Sequence, residues 1–397
     1  MKIDYKKALA IIFLICLFYI GAETLPLTAI HISKVFTGSW HDVVSAVERI
    51  DDSYREMLGF DRHNLQNKGF YINLHGLMAR LMGQRYINER IKLDNGHLTE
   101  EIEREETAFA AMQIEKFFDR QREKDKDFLF VITPNQVPKY ESVIPAGFMN
   151  YSNENADELI GLLRGANIPA LDLREEMLDE GMDHSAAFFV TDHHWTPETG
   201  LWAYIKIIEK LVQEGTIGPV ESPSMDTGEY SIEVFEDIFL GSFGKRTGRY
   251  FAGLDDFSVI TPKFETEFSV ATPYKDDGEK SGSFSELLID RSKLEVDFFE
   301  GNPYVTYGLA AKGLVRYTNE NAPIDLKVLA IGDSFSHVTY IYLPFIFSEC
   351  DQIDMRYIEG DFERYYTEFD PDIVIMLVNP AQVMMENTTY DFFNDFG

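Results

Sequence analysis

The stretch Lys327-Val328-Leu329-Ala330-Ile331-Gly332-Asp333-Ser334-Phe335-Ser336 decides the fold. A run of apolar residues too short for a helix ends in a glycine, as a strand buried on both faces does. The residues after it, Val338 to Phe347, are apolar enough for a helix packed on a sheet. Gly-Asp-Ser therefore falls on a sharp strand-to-helix turn. A serine there has its hydroxyl exposed and a helix N-terminus beside it, which favours an oxyanion and an activated nucleophile. A serine hydroxyl is inert at its own pKa and needs a base. Taken alone, the tripeptide also reads as a turn capped by Asp333 or Ser334.

The base has a candidate upstream, in Thr191-Asp192-His193-His194-Trp195-Thr196. Ala187-Phe188-Phe189-Val190 leads into this motif. A helix signal follows at once, with Thr196 as N-cap, Pro197 at the first helical position and Glu198 in the first turn. Leu201, Tyr204, Ile205, Ile208, Leu211 and Val212 then recur at helical spacing. The acid and the imidazoles thus sit on a connection between elements. His194 is the candidate general base for Ser334, with Asp192 orienting its ring, and two residues apart on an extended segment they share a side. His193 is adjacent and is the competing base. Asp192, His193 and His194 also form a possible divalent-metal set. An accompanying Asp-x-Asp is missing, so no metal and no cofactor is expected.

Further strands frame these motifs. From Asp127 the pattern runs strand, helix, strand: Phe128 to Ile132, Glu154 to Arg164, then Pro169 to Leu173. That alternation argues an α/β fold with a parallel sheet covered by helices. Ile353 to Ile358 and Asp372 to Val378 read as two more strands. Residues 38–125 read as mostly helical, with Leu98 to Arg122 as one long charged helix. Residues 215–322, rich in Gly, Ser, Thr and Asp with short aromatic strands, read as a β-rich insertion. Its Tyr230, Phe235, Tyr250, Phe251 and Phe257 are candidates either for a sugar cleft or for packing beneath loops. Asp183-His184 reads as a polar loop, and His337 as a residue that caps or packs after Ser334.

Together the two motifs resemble the SGNH hydrolase superfamily, and most closely its branch of DHHW and alginate-O-acetylation-type proteins. In that branch Asp-x-His precedes Gly-Asp-Ser, the reverse of ordinary SGNH esterases, and this chain has that order. Phe128 to Asn135 with Lys139-Tyr140 resembles the family's first core strand and its exit loop. Leu171-Asp172-Leu173 resembles the strand before the acid–base motif. Gly241-Ser242-Phe243-Gly244 resembles a glycine-serine block between the two motifs. The resemblance implies a three-layer α/β/α domain over residues 35–397, with a mainly parallel sheet, a helical N-terminal part at 35–125 and the β-rich insertion at 215–322. It also makes Asn379 an oxyanion candidate beside the backbone near Gly332 and Ser334.

Composition bounds the setting. The 397 residues suffice for a large core, and 45% hydrophobic with 26% charged content is ordinary globular material. A net charge of −31 argues against nucleic acid and anionic lipid surfaces and leaves neutral or cationic polymers. Lys2, Lys6 and Lys7 precede an apolar run from Ala8 to Ala22, the pattern of a signal anchor or signal peptide within residues 1–34. Either places the body outside the cytoplasm, on the extracellular or periplasmic face, tethered where the segment is kept. Cys16 lies in that segment and Cys350 stands alone, so the exported body has no internal disulfide.

The expectation is an exported O-acyltransferase that acetylates an extracellular or cell-wall polysaccharide. By resemblance its donor comes through a multi-spanning membrane acyltransferase partner. A carbohydrate esterase with the same triad, and an inactive carbohydrate-binding surface protein, are the alternatives.

Overall fold

The structure, a computed structural model, describes residues 68–273, 278–295, 297–308, 313–354 and 362–380. The expected N-terminal anchor and the start of the domain at residue 35 lie outside them. Among the described residues, no helix is long and apolar enough to cross a membrane. The chain divides into two units, residues 1–71 and 72–397, and the description below concerns the second, together with residues 68–71 that begin its first helix.

In chain order, α1 is Lys68–Leu81, followed by the short strands β1 (Tyr86–Ile87), β2 (Arg90–Lys92) and β3 (Leu98–Thr99). Then come α2 (Ala108–Glu123), β4 (Asp127–Ile132), α3 (Ser152–Gly165), β5 (Ala170–Asp172), α4 (Leu173–Asp179) and α5 (Pro197–Glu214). The middle region holds β6 (Tyr230–Phe239), α6 (Ser242–Thr247), α7 (Arg249–Ala252), β7 (Asp255–Pro262), β8 (Phe268–Ala271), β9 (Lys280–Gly282) and α8 (Phe284–Leu288). The last part has β10 (Leu314–Thr318), β11 (Ile324–Gly332), β12 (Phe347–Asp354), α9 (Phe362–Phe369) and β13 (Ile373–Val378).

The central sheet has the order β5-β4-β13-β11-β12-β10-β8-β9. Its first five strands are parallel, and β10, β8 and β9 continue it antiparallel. Side chains of β11 alternate between two cores. Val328 and Ala330 join one core with α4 and α5. Leu329 and Ile331 join the other with α2, α3 and α9. β13 and β4 alternate in the same way, so both sheet faces are covered, as near-continuous apolar strands require. Each fully buried aliphatic side chain contributes about 1.5–3 kcal/mol, and these two layers fix the edge on which the site is built.

Several expectations are corrected. The helix expected over Leu98 to Arg122 begins only at Ala108. Leu98 and Thr99 form β3, and the backbone between is spent on tertiary partners. Leu98 N–H donates to Val190 O, Tyr151 N–H to Ile102 O, and Glu105 N–H to the Asn155 side chain. The like charges of Glu100 to Glu106 would also have weakened a helix. The helix expected after Ser334 is a pair of 3-10 turns, Ser334–Val338 and Tyr340–Phe345, the second containing Pro344. Its bonds run Ser336 N–H to Asp333 O and Thr339 N–H to Ser336 O, so no long helix dipole points at the serine. The strand expected from Ile353 is β12, which starts at Phe347; residues 355–361 lie outside the description. The insertion is β-rich in part only: β8 to β10 extend the sheet, β6 and β7 form a separate ribbon, and α6 to α8 are helical. Of the two roles open to the insertion's aromatics, packing holds for Tyr230, Phe251 and Phe257, which are buried in cores, while Phe235 is partly buried and Tyr250 exposed.

Candidate active site

The Asp-His-His-Trp motif sits in a tight hairpin. Phe189 N–H donates to His194 O and Thr196 N–H to Ala187 O, closing the loop between them. Thr196 then caps α5, its hydroxyl accepting from Thr199 N–H. Asp192 and His194 pair through this turn and not through an extended segment. The Oδ1 of Asp192 accepts the backbone N–H of His194 at 3.0 Å and lies 2.5 Å from the ring Nδ1. The other face of the imidazole points at the serine, with His194 Nε2 2.7 Å from Ser334 Oγ. His194 is 8% exposed and stacks on Tyr304 at 4.1 Å between ring centroids. Asp192 and His194 thus meet Ser334, 140 positions after His194 (334 − 194), at the C-terminal edge of the parallel strands.

The hairpin is braced from the middle region. Asp255 accepts three bonds: Val190 N–H at 2.7 Å, Thr191 N–H at 2.9 Å and Thr191 Oγ1–H at 2.6 Å. Burial pushes the Asp255 carboxyl up, and the Thr191 and Val190 donors work against that. Gly241 N–H donates to Thr191 Oγ1 at 2.8 Å, Gly244 N–H to Thr191 O at 2.8 Å, and Ser242 N–H to Asp192 Oδ2 at 2.5 Å. A Cβ on Gly241 would lie 2.3 Å from the Asp192 Cβ, so this close approach requires glycine. Burial alone would raise the Asp192 pKa, but the two imidazoles and the Ser242 N–H outweigh it and hold the carboxylate well below its usual range.

The serine turn is braced from several sides. Asp333 caps it, accepting Phe335 N–H at 2.9 Å and Asn379 N–H at 2.7 Å. Trp195 Nε1–H donates to Phe335 O at 3.0 Å and the Tyr304 hydroxyl to Ser334 O at 3.3 Å. Gly332 gives space: a Cβ there would lie 2.6 Å from Ser336 Cβ. The N–H of Ser334 opens the 3-10 turn, a position that leaves a donor without an intrahelical partner.

The remaining candidates fall as follows. Among the described residues, the imidazole that bonds to Ser334 is that of His194 and not that of His193. The Nδ1 of His193 lies 2.9 Å from Ser242 Oγ, and burial with the neighbouring His194 pushes its pKa down to about 4. Asn379 is buried, and its Nδ2 donates to Thr133 Oγ1 at 3.1 Å and Pro134 O at 3.4 Å, which occupies the amide hydrogens an oxyanion would need. His337 faces Asp354 at 3.4 Å on β12. His184 Nε2 lies 2.7 Å from Asn135 O and fastens the loop after β4. Asp192, His193 and His194 lie close enough to share a cation. However, both nitrogens of His194, Nδ1 of His193 and both Asp192 oxygens are already engaged.

A small cavity of about 30 Å³ lies beside the serine turn, lined by Thr99, Glu100, Asn135, Gln136, His193 and Phe335 among others. Gln136 joins it to the motif through Nε2–H to Asp192 O at 2.9 Å. A larger cavity of about 880 Å³, near Phe264 and Phe345, shares no residue with this site. Sequence reading missed Asp255, Tyr304 and Gln136, for which no local pattern stands out. Ser242 was within reach, since its glycine-serine block was noticed without a role.

An imidazole bonded to a carboxylate on one nitrogen and a hydroxyl on the other can take the hydroxyl proton as the oxygen attacks. The comparisons with known proteins agree with the sequence resemblance. Residues 93–229 match a family model described as the SGNH hydrolase-like domain of acetyltransferase AlgX. No curated protein gives a significant match. Among solved structures, Bacillus cereus PatB1 superposes with a TM-score of 0.60 at 17% identity, over 76% of this chain and 99% of that one. A PatB1 structure with a sulfonyl adduct gives 0.60 at 16%, with the same coverage. A DHHW family protein from Eubacterium siraeum gives 0.57 at 14%, over 78% of this chain and 96% of that one. At such identities these likenesses speak to the fold. Residues 93–229 thus resemble the SGNH hydrolase-like domain of AlgX, and the fold resembles that of PatB1 and of the DHHW family protein.

Proposed function

We propose that the chain is a serine O-acyltransferase that acetylates an extracellular or cell-wall polysaccharide. The observation carrying this is the continuous relay Asp192 Oδ1–His194–Ser334 Oγ, at 2.5 and 2.7 Å. Ser334 Oγ bonds to the donor's acetyl carbon while His194 Nε2 takes its proton. The tetrahedral oxyanion sits against the Ser334 N–H, with Asn379 contributing only if its amide turns away from Thr133. Collapse breaks the bond to the leaving group, which receives the proton from His194. A sugar hydroxyl then loses its proton to His194, attacks the acyl carbon and releases Ser334. Asp192 fixes the tautomer and stabilises the imidazolium; it stays ionised throughout.

The match to an acetyltransferase family model over residues 93–229 favours transfer over hydrolysis. The N-terminal segment would hold the domain outside the cytoplasmic membrane, where a multi-spanning membrane acyltransferase supplies the donor. An esterase using water as acceptor is the second reading, favoured by nothing specific in the geometry.

The test uses the full-length protein with p-nitrophenyl acetate. One acetyl mass should appear on the peptide containing Ser334, and Ser334→Ala should abolish it. Since PatB1 has been captured with a sulfonyl adduct, an aryl sulfonyl fluoride should likewise label Ser334 here. Asp192→Asn should slow acylation by up to about 10⁴-fold. Absence of any Ser334 adduct would end the catalytic reading. Equal acetate release with and without glycans would turn it into the esterase reading.

A further inference from the structure

Leaving β4, the chain runs past the candidate active site and on into a groove. Asn135 and Gln136 line the small cavity beside the serine turn. Val137 to Ser142 line a cavity of about 510 Å³ on the same loop, and Val137 to Glu141 also line an adjoining one of about 60 Å³. Gln136 and Tyr140 are four residues apart, so their Cα atoms lie within about 14 Å however the chain bends. The groove is therefore within reach of a polymer whose reacting hydroxyl sits at Ser334. Tyr140 stands in it 57% exposed, with the Lys139 ammonium 5.2 Å from its ring centroid. An exposed tyrosine gives a flat apolar face and a polar edge, a surface suited to a sugar ring.

The charges of the groove choose among sugars. Glu141 and Glu154 are exposed in it and make no ion pair among the described residues. The groove's ammonium, Lys139, lies 2.8 Å from Asp157 and so is already neutralised. Arg174, at the adjoining cavity, is paired with Asp172 and Asp157, and Glu100, at the small one, with Arg90, so among the described residues the unpaired charges left are the carboxylates of Glu141 and Glu154. A polymer bearing a carboxylate on each unit meets a surface of its own sign here, on a chain of net charge −31.

We propose that this groove binds the acceptor glycan, and that the glycan is neutral or amino-bearing and not a polyuronate. The inference rests on the transferase reading. It adds where the polymer lies and which sugars are admitted.

The experiment uses the full-length protein with p-nitrophenyl acetate as donor. Acceptors are N-acetylated chito-oligosaccharides, their deacetylated cationic forms, and oligogalacturonate as the anionic probe. Tyr140→Ala should raise KM for the chito-oligosaccharides about five- to tenfold, with the rate of Ser334 acylation unchanged. Tyr140→Phe, which keeps the ring, should restore most of the loss. The double substitution Glu141→Gln with Glu154→Gln should improve oligogalacturonate as acceptor about fivefold at low salt, an effect that fades as salt rises. Oligogalacturonate outperforming both chito-oligosaccharides in the unaltered protein would overturn the charge selection. An unchanged KM in Tyr140→Ala would overturn the location. If Ser334 never acylates, the transferase reading fails on its own account. Calorimetric binding of the same sugars to Ser334→Ala, with and without Tyr140→Ala, then decides the groove, and equal binding sinks it.

Discussion

Gly241→Ala is a strict test of how the carboxylate is held. Gly241 has φ −68° and ψ −179°, a conformation open to any residue, so the substitution carries no backbone penalty. Its whole cost is steric. The new Cβ would lie 2.3 Å from Asp192 Cβ, 2.6 Å from Asp192 Oδ2 and 2.6 Å from Thr191 O. Carbon atoms settle at about 3.5–4.0 Å, so the two segments must part by roughly 1 Å. Little nearby can yield, because Asp192 is tied to His194 and Ser242, and Thr191 to Asp255 and Gly244. Such overpacking costs about 1–3 kcal/mol of stability. A misplacement of about 1 Å in the acid should slow acylation about 10²-fold, well short of the roughly 10⁴-fold expected when the orienting charge is lost. The assay pairs thermal unfolding with the pre-steady-state release of p-nitrophenol. Gly161→Ala is the control: it lies inside α3 with open space where its Cβ would go, and should stabilise by about 0.5–1 kcal/mol without touching the rate. If Gly241→Ala loses stability but acylates at the original rate, Asp192 does not orient the base. If it loses neither, the packing described here is wrong.

Three further outcomes follow from the same framework. Asp255→Asn replaces one acceptor oxygen by a donor facing N–H groups, and should cost about 1–3 kcal/mol in denaturant unfolding; an unchanged midpoint would mean the hairpin is held elsewhere. Trp195→Phe leaves the buried Phe335 carbonyl without its donor, so a loss of about 1–3 kcal/mol with slower acylation is expected. His193 titrates near 4 in the folded chain against about 6.5 unfolded. The unfolded state then binds more protons between these values, so stability should fall as pH drops from about 6.5 to 4. Asp192, held below the usual carboxylate range, stays charged across that window. The drop in melting temperature between pH 7 and pH 4.5 should shrink in His193→Gln; an identical drop would refute the assignment.

Much of this was legible in the sequence because it rested on local chemistry. The apolar run at Val328 to Ile331 and the N-cap Thr196 with Pro197 each decide structure within a few residues, and both elements form as read. Misreadings arose where distant partners override local pattern. Leu98 to Glu106 carries a helical charge pattern, but Val190, Tyr151 and Asn155 take its backbone groups. Tyr230, Phe251 and Phe257 were open to either a cleft or packing, and the folded chain settles them as packing. Asp255 is one acid among many in sequence; its role comes from three donors 64 and 65 positions away.

The order of the motifs has a topological explanation. In a parallel sheet every strand points its C-terminal end to the same edge, so residues that follow different strands meet whatever their order along the chain. Here β4 and β5 come first and lead into the hairpin bearing Asp192 and His194. β11, β12 and β13 come later, and Gly332-Asp333-Ser334 follows β11. β13 lies between β4 and β11 and joins the two halves into one sheet. The long stretch between the halves adds its strands β8 to β10 beyond β12, away from β4 and β5, and sends back Gly241, Ser242, Asp255 and Tyr304 to brace the site. Asp-x-His before Gly-Asp-Ser, the reverse of ordinary SGNH esterases, therefore needs no new geometry. What the reversal does require is a brace for a hairpin that is not itself a strand of the sheet, and Asp255 and the Gly241-Ser242 turn supply it.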